Sequence, residues 1–153
     1  MNGQGSAVTI PNAPLPGAKY IEDWYIYLAS TTNLAAGATI PVNVNVQADA
    51  DFKLIKIAQF SNNHASITNQ IESTRVLPLV TVQITDTGSG RNLFSAAVPL
   101  PAIAGDGGVP FILPITRIFK ASATITVTFT SYDSAIAYDL NVALIGTKLF
   151  RMS

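Results

Sequence analysis

Charge is scarce in this sequence, cysteine is missing, and histidine and tryptophan occur once each. Only 12% of the 153 residues are charged, against about 25% in an ordinary soluble domain, and nine basic residues meet nine acidic ones. Dispersed proteins rely on interspersed charge and a net charge away from zero, so so neutral a surface suits an assembly better than solitude. The basic side chains are scattered singly from Lys19 to Arg151, which argues against counterion-driven binding to nucleic acid. Without cysteine there is neither a disulfide framework nor a thiolate metal site, and packing alone must hold the fold. No apolar run approaches the length of about 18 residues that a membrane helix needs. Residues 1–7 have neither the basic nor the apolar segment of a secretory leader. No membrane partner is expected, and the chain is read as made and kept in a cytoplasm until assembly.

What the sequence does have is alternation with period two, in short runs rich in Val, Ile, Thr and Tyr between Gly, Pro, Asn, Asp and Ser. In residues 24–29, Trp24, Ile26 and Leu28 share one face and Tyr25, Tyr27 and Ala29 the other, so both faces are candidates for cover. Ile40, Val42, Val44 and Val46 point one way in the next run. The run 52–60 switches parity at Ile55 and Ile57, the mark of a bulge or of burial on both sides. Residues 61–75 are polar and read as a long connection. Residues 79–85 and 92–98 read as a hairpin about the turn 86–90. Three prolines and three glycines make 99–110 a loop at one end of the molecule. Residues 111–119 are extended, with Pro114 confining them to an edge or a bulge. Thr124, Thr126, Thr128 and Thr130 then alternate with Ile125, Val127 and Phe129, and Tyr138, Leu140, Val142 and Leu144 follow until Gly146 interrupts at a bulge or a close backbone approach.

With no helical spacing long enough to cover a sheet, the fold class is all-β: a two-sheet antiparallel β-sandwich of about seven to nine strands. Jelly-roll connectivity is preferred over an immunoglobulin-like one. Residues 20–153 form the sandwich domain. Residues 1–19, with three prolines and three glycines, form a flexible N-terminal arm. Trp24, Val44, Val82, Val127, Phe129, Leu140 and Val142 are the expected core.

Catalytic and cofactor chemistry finds little support. A jelly-roll metal centre needs several histidines, and His64 is single and expected to be a solvated loop residue. Asp49 and Asp51 could offer oxygens to calcium, yet two acids at a turn more often bond the local backbone. Glu22 and Asp23 face opposite ways, which spoils an acid/base pair. The glycine-rich stretches 88–90 and 105–108 precede neither a Lys-Ser/Thr pair nor a helix, so they read as turns rather than phosphate loops. Trp24, Tyr25 and Tyr27 could stack on sugars, although alternating aromatics in a strand are more often core. No enzyme activity, catalytic residue, metal or other cofactor is expected.

The C-terminal third has a pattern of its own: Pro114-x-x-Arg117-x-Phe119, the threonine-rich run 123–130, and Tyr138-x-Leu140-x-Val142-x-Leu144-x-Gly146-x-Lys148. Over residues 111–151 this resembles the closing segments of small jelly-roll cement or decoration proteins that coat tailed-bacteriophage capsids. The resemblance implies a virion protein made in the host cytoplasm. It would bind the outer capsid surface, with the major capsid protein and its own copies, as a homodimer or homotrimer, as partners. A tail, collar or receptor-binding module and a carbohydrate-binding sandwich are the alternatives. Expected interface residues are Val8, Ile10 and Leu15 in the arm, Ile103 and Val109 in the Pro/Gly loop, and Arg117. Replacing Ile103 and Val109 with Asp is expected to weaken assembly and leave folding intact.

Overall fold

The computed structural model describes Gly17 and residues 19–64, 76–106 and 108–152. Its strands are β1 (Tyr20–Leu34), β2 (Thr39–Asn45), β3 (Asp51–Asn63), β4 (Val80–Asp86), β5 (Arg91–Asn92), β6 (Val98–Pro99), β7 (Phe111–Phe119), β8 (Thr124–Ser131) and β9 (Tyr138–Arg151), with a short helix α1 (Leu100–Ala104). One sheet has the order β1-β9-β3-β7; the other runs β2-β8-β4-β5, with β6 also on β4. Every pairing is antiparallel. Successive strands change sheet except around β4, β5 and β6, which is jelly-roll connectivity.

Period two explains the core. In β4 and β8 alternate residues are buried, so Val80, Val82 and Ile84 meet Ile125, Val127 and Phe129 between the sheets. From the opposite sheet come Tyr27, Ala29, Phe52, Leu54, Ile57, Leu140, Val142 and Leu144. Six of the expected core residues are buried, and Trp24 is not: 72% of it is exposed. The inward face of β1 is Tyr25, Tyr27 and Ala29. Tyr27 stands edge-on to Phe52 at 4.8 Å while its hydroxyl, at the rim, accepts the Gln47 N–H at 2.9 Å. A tyrosine can satisfy both an apolar interior and a polar rim, and its neighbour of opposite parity is then turned outward.

Local punctuation falls where the sequence places it, with three differences. The β3 register shifts between Leu54 and Lys56 against both neighbours, so Ile55 is a bulge. Gly146 lies opposite Leu54 there, and a Cβ on it would sit 1.9 Å from the Lys53 carbonyl oxygen. Pro114 is on edge strand β7, within residues 113–116 that drop out of pairing. The first difference is the expected strand 92–98, which is broken into β5 and β6. Adjacent Leu93 and Phe94 both pack against the core, which a regular pleat cannot arrange. In the second, residues 100–104 of the expected loop form α1, which buries Leu100 and Ala104. Third, β3 continues through Asn63, so Ser61 to Asn63 are strand and not connection. Residues 65–75, like the arm apart from Gly17 and Lys19, lie outside the described residues.

Candidate interaction surface

Residues opposite one another on antiparallel strands share a face, so the outer surface of the β1-β9-β3-β7 sheet can be read row by row. Ile26 faces Ile145, which faces Lys56, which faces Ile112; Leu28 faces Ala143, which faces Ala58; Ser30 faces Asn141, which faces Phe60. Trp24 stands over Thr147 in the adjoining row. Leu28 is 56% exposed, Phe60 47% and Ile112 62%, and Ile115 in the β7 bulge is 80% exposed. Burying such a side chain fully is worth about 1.5–3 kcal/mol, so this face offers several times that to whatever covers it.

The ends of the belt are polar. At one, Lys53 Nζ donates to Glu22 Oε1 at 2.6 Å and Thr147 Oγ1 to Glu22 Oε2 at 3.0 Å; the Lys53 bond holds the Glu22 carboxyl below its ordinary range. Exposed as it is, that pair contributes about 1 kcal/mol at most. At the other end the Asp139 carboxylate accepts the Asn33 N–H at 2.8 Å and lies 2.8 Å from His64 Nδ1. Lys56 is the one charged residue in these rows, and it has no acidic partner among the described residues.

The outer face of the second sheet is of another kind. Thr124 donates to Asn45, Thr126 to Asn43 and Thr85 to Asn92 at 3.0, 2.9 and 2.7 Å, and Thr39 and Thr130 share a hydrogen bond at 3.0 Å. These polar groups bond one another across the strands, so they have little to gain by leaving water.

Of the residues the sequence nominates, Val8, Ile10 and Leu15 lie outside the described residues. Val109 is 74% exposed in the loop after α1. Ile103 is half-buried in α1 and packs against the core, so the double aspartate variant would disturb folding, contrary to the expectation above. Arg117 is half-buried on β7, and its Nε and Nη2 are buried without a hydrogen-bond partner among the described residues. Sequence reasoning missed Trp24, Ile26, Leu28, Phe60 and Ile112 as surface. The signal present was the apolar character of both faces of residues 24–29.

The groups weighed for chemistry are each engaged otherwise. Asp49 receives Lys148 Nζ at 2.9 and 3.1 Å, and Asp51 receives Lys120 Nζ and the Ala121 N–H, so lysines stand where the calcium reading needed a cation. Asp86 accepts the Gly88 and Ser89 N–H groups, and Asp106 that of Gly108, which fills both glycine-rich turns with carboxylate. His64 is tied to Asp139 rather than simply solvated. Tyr25 and Tyr27 face inward, leaving Trp24 without them on the outside. Among the described residues no group of three or more His, Asp or Glu is placed to hold a metal, and no helix is long and apolar enough to cross a membrane.

Fold and surface together define a jelly-roll module with one apolar outer face. No protein-family model and no curated protein matches the chain. A solved structure from Desmodium yellow mottle tymovirus is similar over 99% of this chain and 98% of its own, at 10% identity and a TM-score of 0.36. A likeness of that size carries no argument about function, and the jelly-roll assignment rests on strand order.

Proposed function

We propose that this protein is a non-enzymatic structural component of a virion, which binds the outside of a phage capsid and stabilises contacts between major capsid subunits. The observation that supports this most is the apolar outer face of the β1-β9-β3-β7 sheet on a chain with little charge. Such a face loses its cost to solubility only when a neighbour covers it. The C-terminal pattern supports the phage setting. A module bridging adjacent capsomers adds interface that must be broken before they separate, which stabilises the shell by linkage. Lys56 in the middle of the apolar rows favours a partner surface with a carboxylate opposite it.

The test is co-sedimentation of the purified chain with capsids that lack it. Binding in hundreds of copies per particle, lost in a Leu28→Asp, Phe60→Asp double variant of unchanged fold, is the expected result. A handful of copies would point to a tail or collar part, and no binding would remove the virion reading.

A further inference from the structure

Three of the four sheet edges carry a device that discourages pairing with another chain. Strand β7 has Pro114 and the unpaired residues 113–116. Strand β2 is seven residues long with Pro41 within it, and the edge beside β4 consists of two fragments of two residues each. Strand β1 has only a register break near its end, between Thr31 and Leu34, where Asn33 takes a positive φ. It is 15 residues long, holds neither proline nor glycine, and keeps unbroken register with β9 from Tyr20 to Thr31. Its charges, Glu22 and Asp23, lie near its start, and residues 24–34 carry none. Among the described residues β1 pairs only with β9, so no described strand takes up the N–H and C=O groups of its other side.

We propose that a second copy of this chain occupies that edge, β1 against β1 in antiparallel register about a two-fold axis, making one eight-stranded sheet. Charge chooses both partner and direction. Parallel pairing would set Glu22 and Asp23 beside their own copies, whereas antiparallel pairing separates them. With the axis at Ile26 or at Leu28, Glu22 and Asp23 face uncharged residues within 29–34 of the second copy, and the strand is complementary to itself. A register that keeps like faces together brings Trp24 of each copy within reach of the apolar outer side chains of the other. The belts of the two sheets then become one, and the most exposed aromatic of β1 gains cover at the seam. The ladder hydrogen bonds supply affinity without any new pocket.

This dimer needs no particle, so its failure is distinguishable from that of the proposed function. Sedimentation velocity at micromolar concentration is expected to show a dimer for the natural chain. Leu28→Lys, a charge placed on an exposed edge position, is expected to give a monomer with unchanged far-ultraviolet circular dichroism. Because the chain has no cysteine, Ile26→Cys or Leu28→Cys is expected to form a disulfide-linked homodimer under mild oxidation, while Ala58→Cys, two strands inward, is not. Alternate amides of β1 are expected to exchange at least about tenfold more slowly in the natural chain than in Leu28→Lys. A natural chain that stays monomeric, or a dimer that survives Leu28→Lys and does not cross-link through residue 26 or 28, overturns the proposal.

Discussion

Lys148 reaches Asp49 with two hydrogen bonds, at 2.9 and 3.1 Å, from a side chain that is almost wholly buried. The ammonium also donates to Gln47 and lies 4.3 Å from the centre of the Tyr25 ring. This closes one mouth of the sandwich: a residue of β9 is tied to the turn between β2 and β3, and all three ammonium donors point toward acceptors or an aromatic face.

The pair makes stability depend on pH at both extremes. The Lys148 bond holds the Asp49 carboxyl below its ordinary value of 3.8. That contribution is complete above pH 3.8 and is lost as pH falls through the lower, folded value. For Lys148 burial is the largest single effect and pulls the pKa down, but the Asp49 hydrogen bond together with the electrostatic attraction of Tyr27, Asp49 and Tyr25 outweighs it, and the net shift is upward from 10.5. Its contribution is present below 10.5 and is lost as pH rises through the higher, folded value. Thermal melts are expected to be flat between these limits for this pair. Asp49→Asn should lower the melting temperature near neutral pH and reduce its dependence on acid, and an unchanged acid limb would rule the pair out as its source.

Gly146→Ala is expected to cost about 3 kcal/mol or more, or to prevent folding. The added methyl would meet the Lys53 carbonyl oxygen at 1.9 Å, and backbone, unlike a flexible side chain, cannot swing away. Urea unfolding of the variant measures it.

Arg117→Met is expected to raise the stability of the isolated chain by about 1–3 kcal/mol, because two buried guanidinium nitrogens go without partners among the described residues and a hydrophobe of similar length needs none. A fall in melting temperature would mean that the guanidinium is satisfied in solution.

Val109→Asp and Ile103→Asp should part company. Val109 is exposed, so its variant is expected to stay within about 0.5 kcal/mol of the natural chain in stability. Ile103 packs against the core, and its variant should lose about 2 kcal/mol or more, read by the same chemical denaturation.

Much of the fold was legible because period two is a local signal. The alternation in residues 124–130 announced β8, and the parity switch at Ile55 announced its bulge. Pro114 announced an edge, and Gly146 the close approach of another backbone. The interaction surface was less legible: Ile103, Val109 and Arg117, the described residues named for it, stand outside the apolar rows, and Trp24, which stands beside them, was assigned to the core. Ile103 illustrates the same limit, since a Pro/Gly-rich stretch reads as loop although Leu100 and Ala104 anchor a turn of helix within it.

The sequence by itself determined that this chain is built of strands, that β3 bends at Ile55, and that its surface would be poor in charge, because each follows from neighbours within a few residues or from composition alone. Only the tertiary structure decided which face of β1 is inside. Residues 24–29 are apolar on both faces, so alternation defines two faces without ranking them. The ranking comes from β9, more than a hundred residues away: pairing Tyr27 with Leu144 puts one set against the second sheet and leaves Trp24, Ile26 and Leu28 to the outside.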